Sequence, residues 1–175
     1  MVIPRKMDFK ELGSDVSDVA KSVAFALSEP AENYVNDAEV EFLWAMKAVE
    51  HAEIHFNLVS SVNPRSLRLT DHDDRIYASF KEAFRDFSLT PIVIDQLKSE
   101  EAKAKWREYM KEFENDVADF NFATLLRLDA ELDYSEENTI VVPRLEFMAV
   151  EIARNREGFN DRLRTRYPPK IAGQA

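Results

Sequence analysis

The chain has 175 residues, 45% of them apolar and 32% charged, with a formal net charge of -10 and no cysteine. That composition describes a soluble, folded chain with one full core, and it excludes disulfides, thiolate nucleophiles and thiolate metal sites while disfavouring broad DNA or RNA binding. No apolar run approaches the ~20 residues that cross a bilayer and the N-terminus lacks a secretory pattern, so a reducing, cytoplasmic setting without membrane contact is expected.

Residues 1–13 show no clear period and read as a flexible arm. Ser14 suits the N-cap of a first helix, with Val16, Val19, Ala20, Val23 and Leu27 as its apolar stripe and Pro30 beyond its end. A second helix is expected from Asn36 or Asp37 to about Val62, where Asn63-Pro64 stops it. Its apolar face is Ala38, Phe42, Ala45, Val49, Ala52, Phe56 and Val59, widened by Trp44, Ala48 and Leu58. So apolar a helix is expected at the centre of the core.

Thr70 and Asp73 form a T-x-x-D start signal for a third helix that buries Ile76, Phe80, Ala83, Phe84 and Phe87. Pro91-Ile92-Val93-Ile94 reads as a connection. Ser99 caps a fourth helix in which Ala102, Trp106, Tyr109, Met110 and Phe113 face inward, opposite a solvated lattice of Glu and Lys.

After Asn115 the period shortens. Phe120, Phe122, Leu126 and Leu128 predict a strand, Tyr134 to Asn138 a turn, and Thr139-Ile140-Val141-Val142 the antiparallel partner. Pro143 suits the first position of a last helix with Leu145, Met148, Ala149 and Ile152 as its stripe, and Gly158 ends or bends it. The expected architecture is mainly α with a small antiparallel β-hairpin (α+β): about five helices in one domain over residues 14–165, a hairpin near 119–142 and a flexible tail at 166–175.

The three glycines, Gly13, Gly158 and Gly173, are far apart, so no glycine-rich loop for a phosphate, dinucleotide or methyl donor exists and no cofactor is expected. His51 and His55 lie four apart on a helix, but Ala52 occupies the zincin glutamate position, so histidines edging a core helix are the ordinary explanation. Asp71, Asp73 and Asp74 suit a helix start, and Ser60-Ser61 lacks an elbow's glycines. Nothing here points to an enzyme.

The dense polar stretches stand out more. Arg127 and Asp129 share one face of an otherwise apolar strand, and Glu151, Arg154, Asn155, Arg156 and Glu157 crowd the end of an apolar helix. Spacing leaves two readings open: a charged protein-recognition surface, or an internal salt-bridge network that fixes the hairpin to the helix. The charge is also uneven. From Ala153 onward six basic residues face two acidic ones, a local +4 beside -14 for the remainder.

Asp119-Phe120-Asn121, Thr124-Leu125-Leu126-Arg127-Leu128-Asp129, Glu136-Glu137-Asn138-Thr139-Ile140, Pro143-Arg144 and the run from Glu151 to Gly158 together resemble the polysaccharide-biosynthesis-domain-containing protein family. Trp44-Ala45-Met46, His51-Ala52-Glu53 and Ser60-Ser61-Val62 fit it as well, so the resemblance runs from about Val16 to Asn160. The family name implies glycan synthesis through distant methyltransferase-like relatives, but the missing methyl-donor loop argues against transferring that activity. The fungal and animal branch implies a dedicated, ribosome-associated chaperone that engages nascent translation elongation factor 1 alpha through its GTP-binding domain. On that reading the protein is a cytoplasmic monomer without catalytic, cofactor or metal residues. Its partners are the nascent factor and the ribosome, and its partner-binding candidates are Asn121, Thr124, Arg127, Asp129, Arg144, Glu151, Arg154, Asn155, Arg156 and Glu157. The alternatives are a methyltransferase-like enzyme of polysaccharide biosynthesis and a general protein-interaction module.

Overall fold

A computed structural model describes residues 38–168. The expected first helix and both termini lie outside the described residues. The chain divides into two compact units within its first described helix, at His51 and Ala52. In the first unit that helix, α1 (Ala38–Ser61), buries Ala48. Everything below concerns the second unit.

There, the C-terminal half of α1 buries Ala52, His55, Phe56, Val59 and Ser60, a 3.6-period stripe, and Asn63 stops it by capping a 3-10 turn at Pro64–Ser66. Next comes α2 (Asp73–Ala83), whose N-cap is His72 and whose first residue supplies the carboxylate half of the expected start signal. Asp73 Oδ1 accepts the Thr70 N–H at 2.8 Å and Asp73 Oδ2 accepts the Leu69 N–H at 3.0 Å, so a 2%-exposed carboxylate serves two backbone donors. A short α3 (Asp95–Lys98) leads directly into α4 (Glu100–Lys111), whose Ser99 cap accepts the Ala102 N–H at 3.1 Å. Trp106 in α4 and Phe113 in the turn just beyond its end are fully buried, continuing the expected stripe.

Strand β1 (Ala123–Arg127) pairs antiparallel with β2 (Thr139–Pro143), Leu126 opposite Ile140 and Arg127 opposite Thr139. The strand is shorter than expected. Phe120 and Phe122 precede it because Asp119 takes a positive φ of 52° and turns the chain. The next helix, α5 (Arg144–Glu157), follows β2 without a loop, and a last turn, α6 (Leu163–Arg166), buries Leu163 against Phe56 and Val59.

The central element is α5, which packs against α2, α4, both strands and the 3-10 turn. Eleven consecutive residues, Leu145 to Asn155, are buried. The main core joins this helix to Ile76, Phe80 and Phe84 of the α2 region, to Trp106 and Tyr109, and to Leu126 and Val142 of the hairpin. Residues 52–61 of α1, by contrast, build a smaller cluster with Leu163. The expectation that the most apolar helix would be the central one fails for this half. A helix with buried Glu146, Glu151, Arg154 and Asn155 holds the centre, and the last three of these groups are hydrogen-bonded there.

Candidate functional site

Arg127 extends from β1 to the side of the sheet away from Leu126, where residues 55–59 and α5 meet it, so β1 is buried on both faces. Its Nη2 donates to both Glu151 carboxylate oxygens, at 3.2 and 3.1 Å, and to Asn160 Oδ1 at 3.0 Å. Nη1 donates to the Ala130 carbonyl at 2.9 Å, while Nε is buried without a protein acceptor. Arg154, one turn beyond Glu151 on α5, donates to Glu151 Oε1 at 2.7 Å and to the carbonyls of Leu89 and Leu128 at 2.8 and 3.1 Å. Asn160 Nδ2 donates to Glu151 Oε2 at 3.0 Å and to Asn155 Oδ1 at 2.7 Å. Arg127, Glu151, Arg154 and Asn160 are each 0% exposed.

One carboxylate thus faces two guanidiniums in a dry interior. Burial alone would push the Glu151 carboxyl up, but Arg127 and Arg154 outweigh it and hold the group far below the usual carboxylate range. Burial pulls the Arg154 guanidinium down, with Glu151 opposing. Carbonyl dipoles and the Asn160 amide oxygen offset the remaining positive charge. His55 completes the cluster: its Nδ1 shares a 3.1 Å hydrogen bond with Tyr134 Oη, its Nε2 lies 3.7 Å from Glu151 Oε2, and its ring meets Phe147 edge-on at 4.9 Å.

A second knot ties the hairpin loop. Asn138 accepts the Asp129 N–H at 2.8 Å and donates to the carbonyls of Asp129 and Asp133 at 3.2 and 3.0 Å. Asp129 in turn accepts from Thr90 Oγ1 at 3.1 Å and from the Glu131 N–H at 2.8 Å.

Of the expected partner-binding residues, the structure therefore brings Arg127, Glu151, Arg154 and Asn155 together, but in the interior. They form no charged face of the hairpin, because that face is covered. Thr124 is buried too, donating to the Phe122 carbonyl at 3.1 Å, and Asp129 is tied up in the loop. Asn121 and Glu157 are exposed, and Arg144 and Arg156 are half-buried. Arg156 bonds Asp74 at 2.6 Å and lies 4.9 Å over the Tyr77 ring, and Glu157 pairs with Lys81 at 2.9 Å.

Sequence reasoning missed Asn160, Tyr134 and the inward role of His55. Only His55 left a signal, since it falls on the same helical stripe as Ala52, Phe56 and Val59. His51 is exposed and His55 is 4% exposed, and among the described residues no three His, Asp or Glu groups cluster as a metal site. No described helix is long and apolar enough to cross a membrane. The basic C-terminal region is also partly neutralised: Arg162 and Arg166 reach Glu131 at 3.2 and 3.9 Å, although its own Asp161 is taken by Arg65 at 2.9 Å.

The pattern of the PBDC1 protein family matches residues 40–165, which include the hairpin, α5 and the whole network. This chain belongs to the PBDC1 family. It is 51% identical to mouse Protein PBDC1 over 145 residues, covering 83% of this chain and 73% of the mouse protein. It is 52% identical to the human protein over the same length, covering 83% of this chain and 62% of the human one. A Schizosaccharomyces pombe PBDC1 homolog is 42% identical over 75% of this chain and 92% of its own. A Saccharomyces cerevisiae protein solved by solution NMR superposes with a TM-score of 0.70 at 40% identity, covering 79% of this chain and 97% of that one. The chain is thus mainly helical with a two-stranded sheet, like that relative.

Proposed function

We propose that this PBDC1 chain is a binding protein without catalytic activity: a cytoplasmic, monomeric, ribosome-associated chaperone that assists nascent translation elongation factor 1 alpha through its GTP-binding domain. The resemblance of its sequence to the fungal and animal branch motivates the client. The observation that carries the binding role is the inward-turned network. The most recognisable residues of the signature, Arg127, Glu151, Arg154 and Asn155, are spent on fixing the hairpin to α5. What remains is a stiff frame, and a stiff frame lowers the entropic cost of holding a partner. Partner contact then falls to outward residues, with Asn121, Arg144, Arg156 and Glu157 as the members of the original set that reach solvent and are not tied into the network or the hairpin loop.

Affinity-tagged protein added to translating ribosomes tests this reading. Nascent elongation factor 1 alpha should be enriched on the captured ribosomes over other nascent chains, and equal recovery of all chains would refute it. Titration calorimetry with S-adenosylmethionine gives the complementary check, because clear binding would favour a methyltransferase-like enzyme instead.

A further inference from the structure

An open groove of about 440 Å³ runs between the C-terminal end of α2 and the starts of α3 and α4. Glu82, Asp86, Asp95 and Glu101 supply four carboxylates to it, against Arg85 and Lys105. Elsewhere on the surface some acidic groups are matched, as Asp74, Glu131, Glu157 and Asp161 are by Arg156, Arg162, Lys81 and Arg65, while others such as Asp133, Glu136 and Glu137 stand singly on the hairpin loop rather than around a groove. None of the groove's four carboxylates has an ion-pair partner among the described residues. Lys105 points its ammonium at the Phe84 ring, 4.9 Å from the centroid.

Two of these acids have a local explanation and two do not. Asp95 and Glu101 lie in the first turns of α3 and α4, where the helix dipole favours negative charge. Glu82 lies in the last turn of α2, where the dipole disfavours it, and Asp86 follows that helix without a side-chain partner. The floor is apolar and rigid: Phe84 stacks on Trp106 at 4.0 Å, and Phe87 meets the same ring edge-on at 5.9 Å. Gln96 clamps the two walls, accepting the Ser88 N–H and donating to the Asp86 carbonyl, both at 2.9 Å. Val93 and Ile94, 51% and 49% exposed, directly precede the lining residues Asp95 and Gln96 in the chain. A preformed aromatic floor, an unneutralised acidic rim and two exposed aliphatic side chains complement a segment that is basic and apolar at once.

We propose that this groove docks a basic, partly apolar polypeptide segment of a protein partner; only the identification of that partner as the client rests on the chaperone reading. The full chain, labelled with nitrogen-15, is titrated with a Lys/Leu dodecapeptide and, separately, with its Glu/Leu counterpart. The Lys/Leu peptide should bind about tenfold or more tightly and weaken as salt rises, with amide shifts centred on residues 82–105. The double substitution Glu82→Lys/Asp86→Lys should cost about tenfold or more in affinity, and Glu82→Gln/Asp86→Asn an intermediate amount. Both positions are exposed, and Lys at the end of α2 complements the helix dipole, so the fold is retained with no loss of melting temperature. Equal binding of the two peptides, wild-type affinity in the charge-reversed protein, shifts centred elsewhere, or no binding at millimolar peptide would each overturn the proposal. Ribosome capture separates the two claims. Peptide binding at the groove without enrichment of nascent elongation factor 1 alpha defeats the client reading alone. Full capture by the charge-reversed protein defeats the groove as the client's docking site.

Discussion

Replacing Glu151 by Gln removes the charge that both Arg127 and Arg154 face while keeping nearly the same shape. Arg127 would retain the Ala130 carbonyl and the Asn160 amide oxygen, and Arg154 the carbonyls of Leu89 and Leu128. Neither guanidinium, at 0% exposure, could regain water. Breaking a buried pair from one side costs roughly 3–5 kcal/mol, because the remaining charge stays desolvated and uncompensated. At about 2–4 °C per kcal/mol for a chain of this size, Glu151→Gln should melt some 6–20 °C below wild type at pH 7. Differential scanning calorimetry reads this directly. The pH dependence adds a sign. The Glu151 carboxyl is held below its ordinary range in the folded state, so its stabilisation is full above the unfolded value of 4.5 and is lost as pH falls through the depressed one. The deficit of the variant should therefore shrink under strongly acidic conditions. The triple variant Arg127→Met/Glu151→Leu/Arg154→Met, which removes all three charges, should recover much of the loss. A melting temperature within about 2 °C of wild type for Glu151→Gln would refute the claim that this network holds the hairpin to α5.

Glu146, 5% exposed in the first turn of α5, has a carboxyl pushed up to about 7 by burial, opposed only in part by Lys98. The unfolded chain loses this proton near 4.5 and the folded one near 7, so stability falls between those values and then levels. Glu146→Gln should consequently stabilise the protein by about 1–3 kcal/mol at pH 8 and by much less at pH 4.5, as urea titrations at the two pH values would show. Gly158 ends α5 at φ 87°, and a Cβ there would lie 2.2 Å from Arg65 Nη2, so Gly158→Ala should lose about 1–3 kcal/mol, measurable by thermal melting. Ser99→Ala should cost about 1 kcal/mol through the lost α4 cap, with faster amide exchange at Ala102.

Much of the fold is legible in the sequence because local signals there agree with tertiary need. The T-x-x-D start at Thr70, the Ser99 cap, the Trp106 stripe, the β-branched run of β2 and Gly158 as a helix end each act within one turn or strand. The centre of the molecule is less legible. Apolar periodicity points to α1, whereas α5 is buried along eleven residues with charges included, and period alone does not register a polar group that its partner satisfies. The site illustrates the same limit. Strand alternation places Arg127 and Asp129 together on one face, but cannot tell that His55 and Phe56 cover it. Spacing left a recognition face and an internal network equally open. The distances from Arg127 and Arg154 to Glu151 favour the network, and charge reversal at either arginine should unfold the domain before it reports on a partner.

The groove acids were legible only as part of a generally acidic body. Their significance lies in what does not pair with them, which depends on how α2, α3 and α4 come together. The claim at the centre of this account is that an inward-braced PBDC1 domain presents its outer surface to nascent elongation factor 1 alpha. The most direct measurement is capture of ribosome–nascent-chain complexes by the tagged protein, followed by identification of the nascent chains. Strong enrichment of elongation factor 1 alpha carrying a completed GTP-binding domain is the predicted result; recovery of that chain in proportion to its abundance would contradict it.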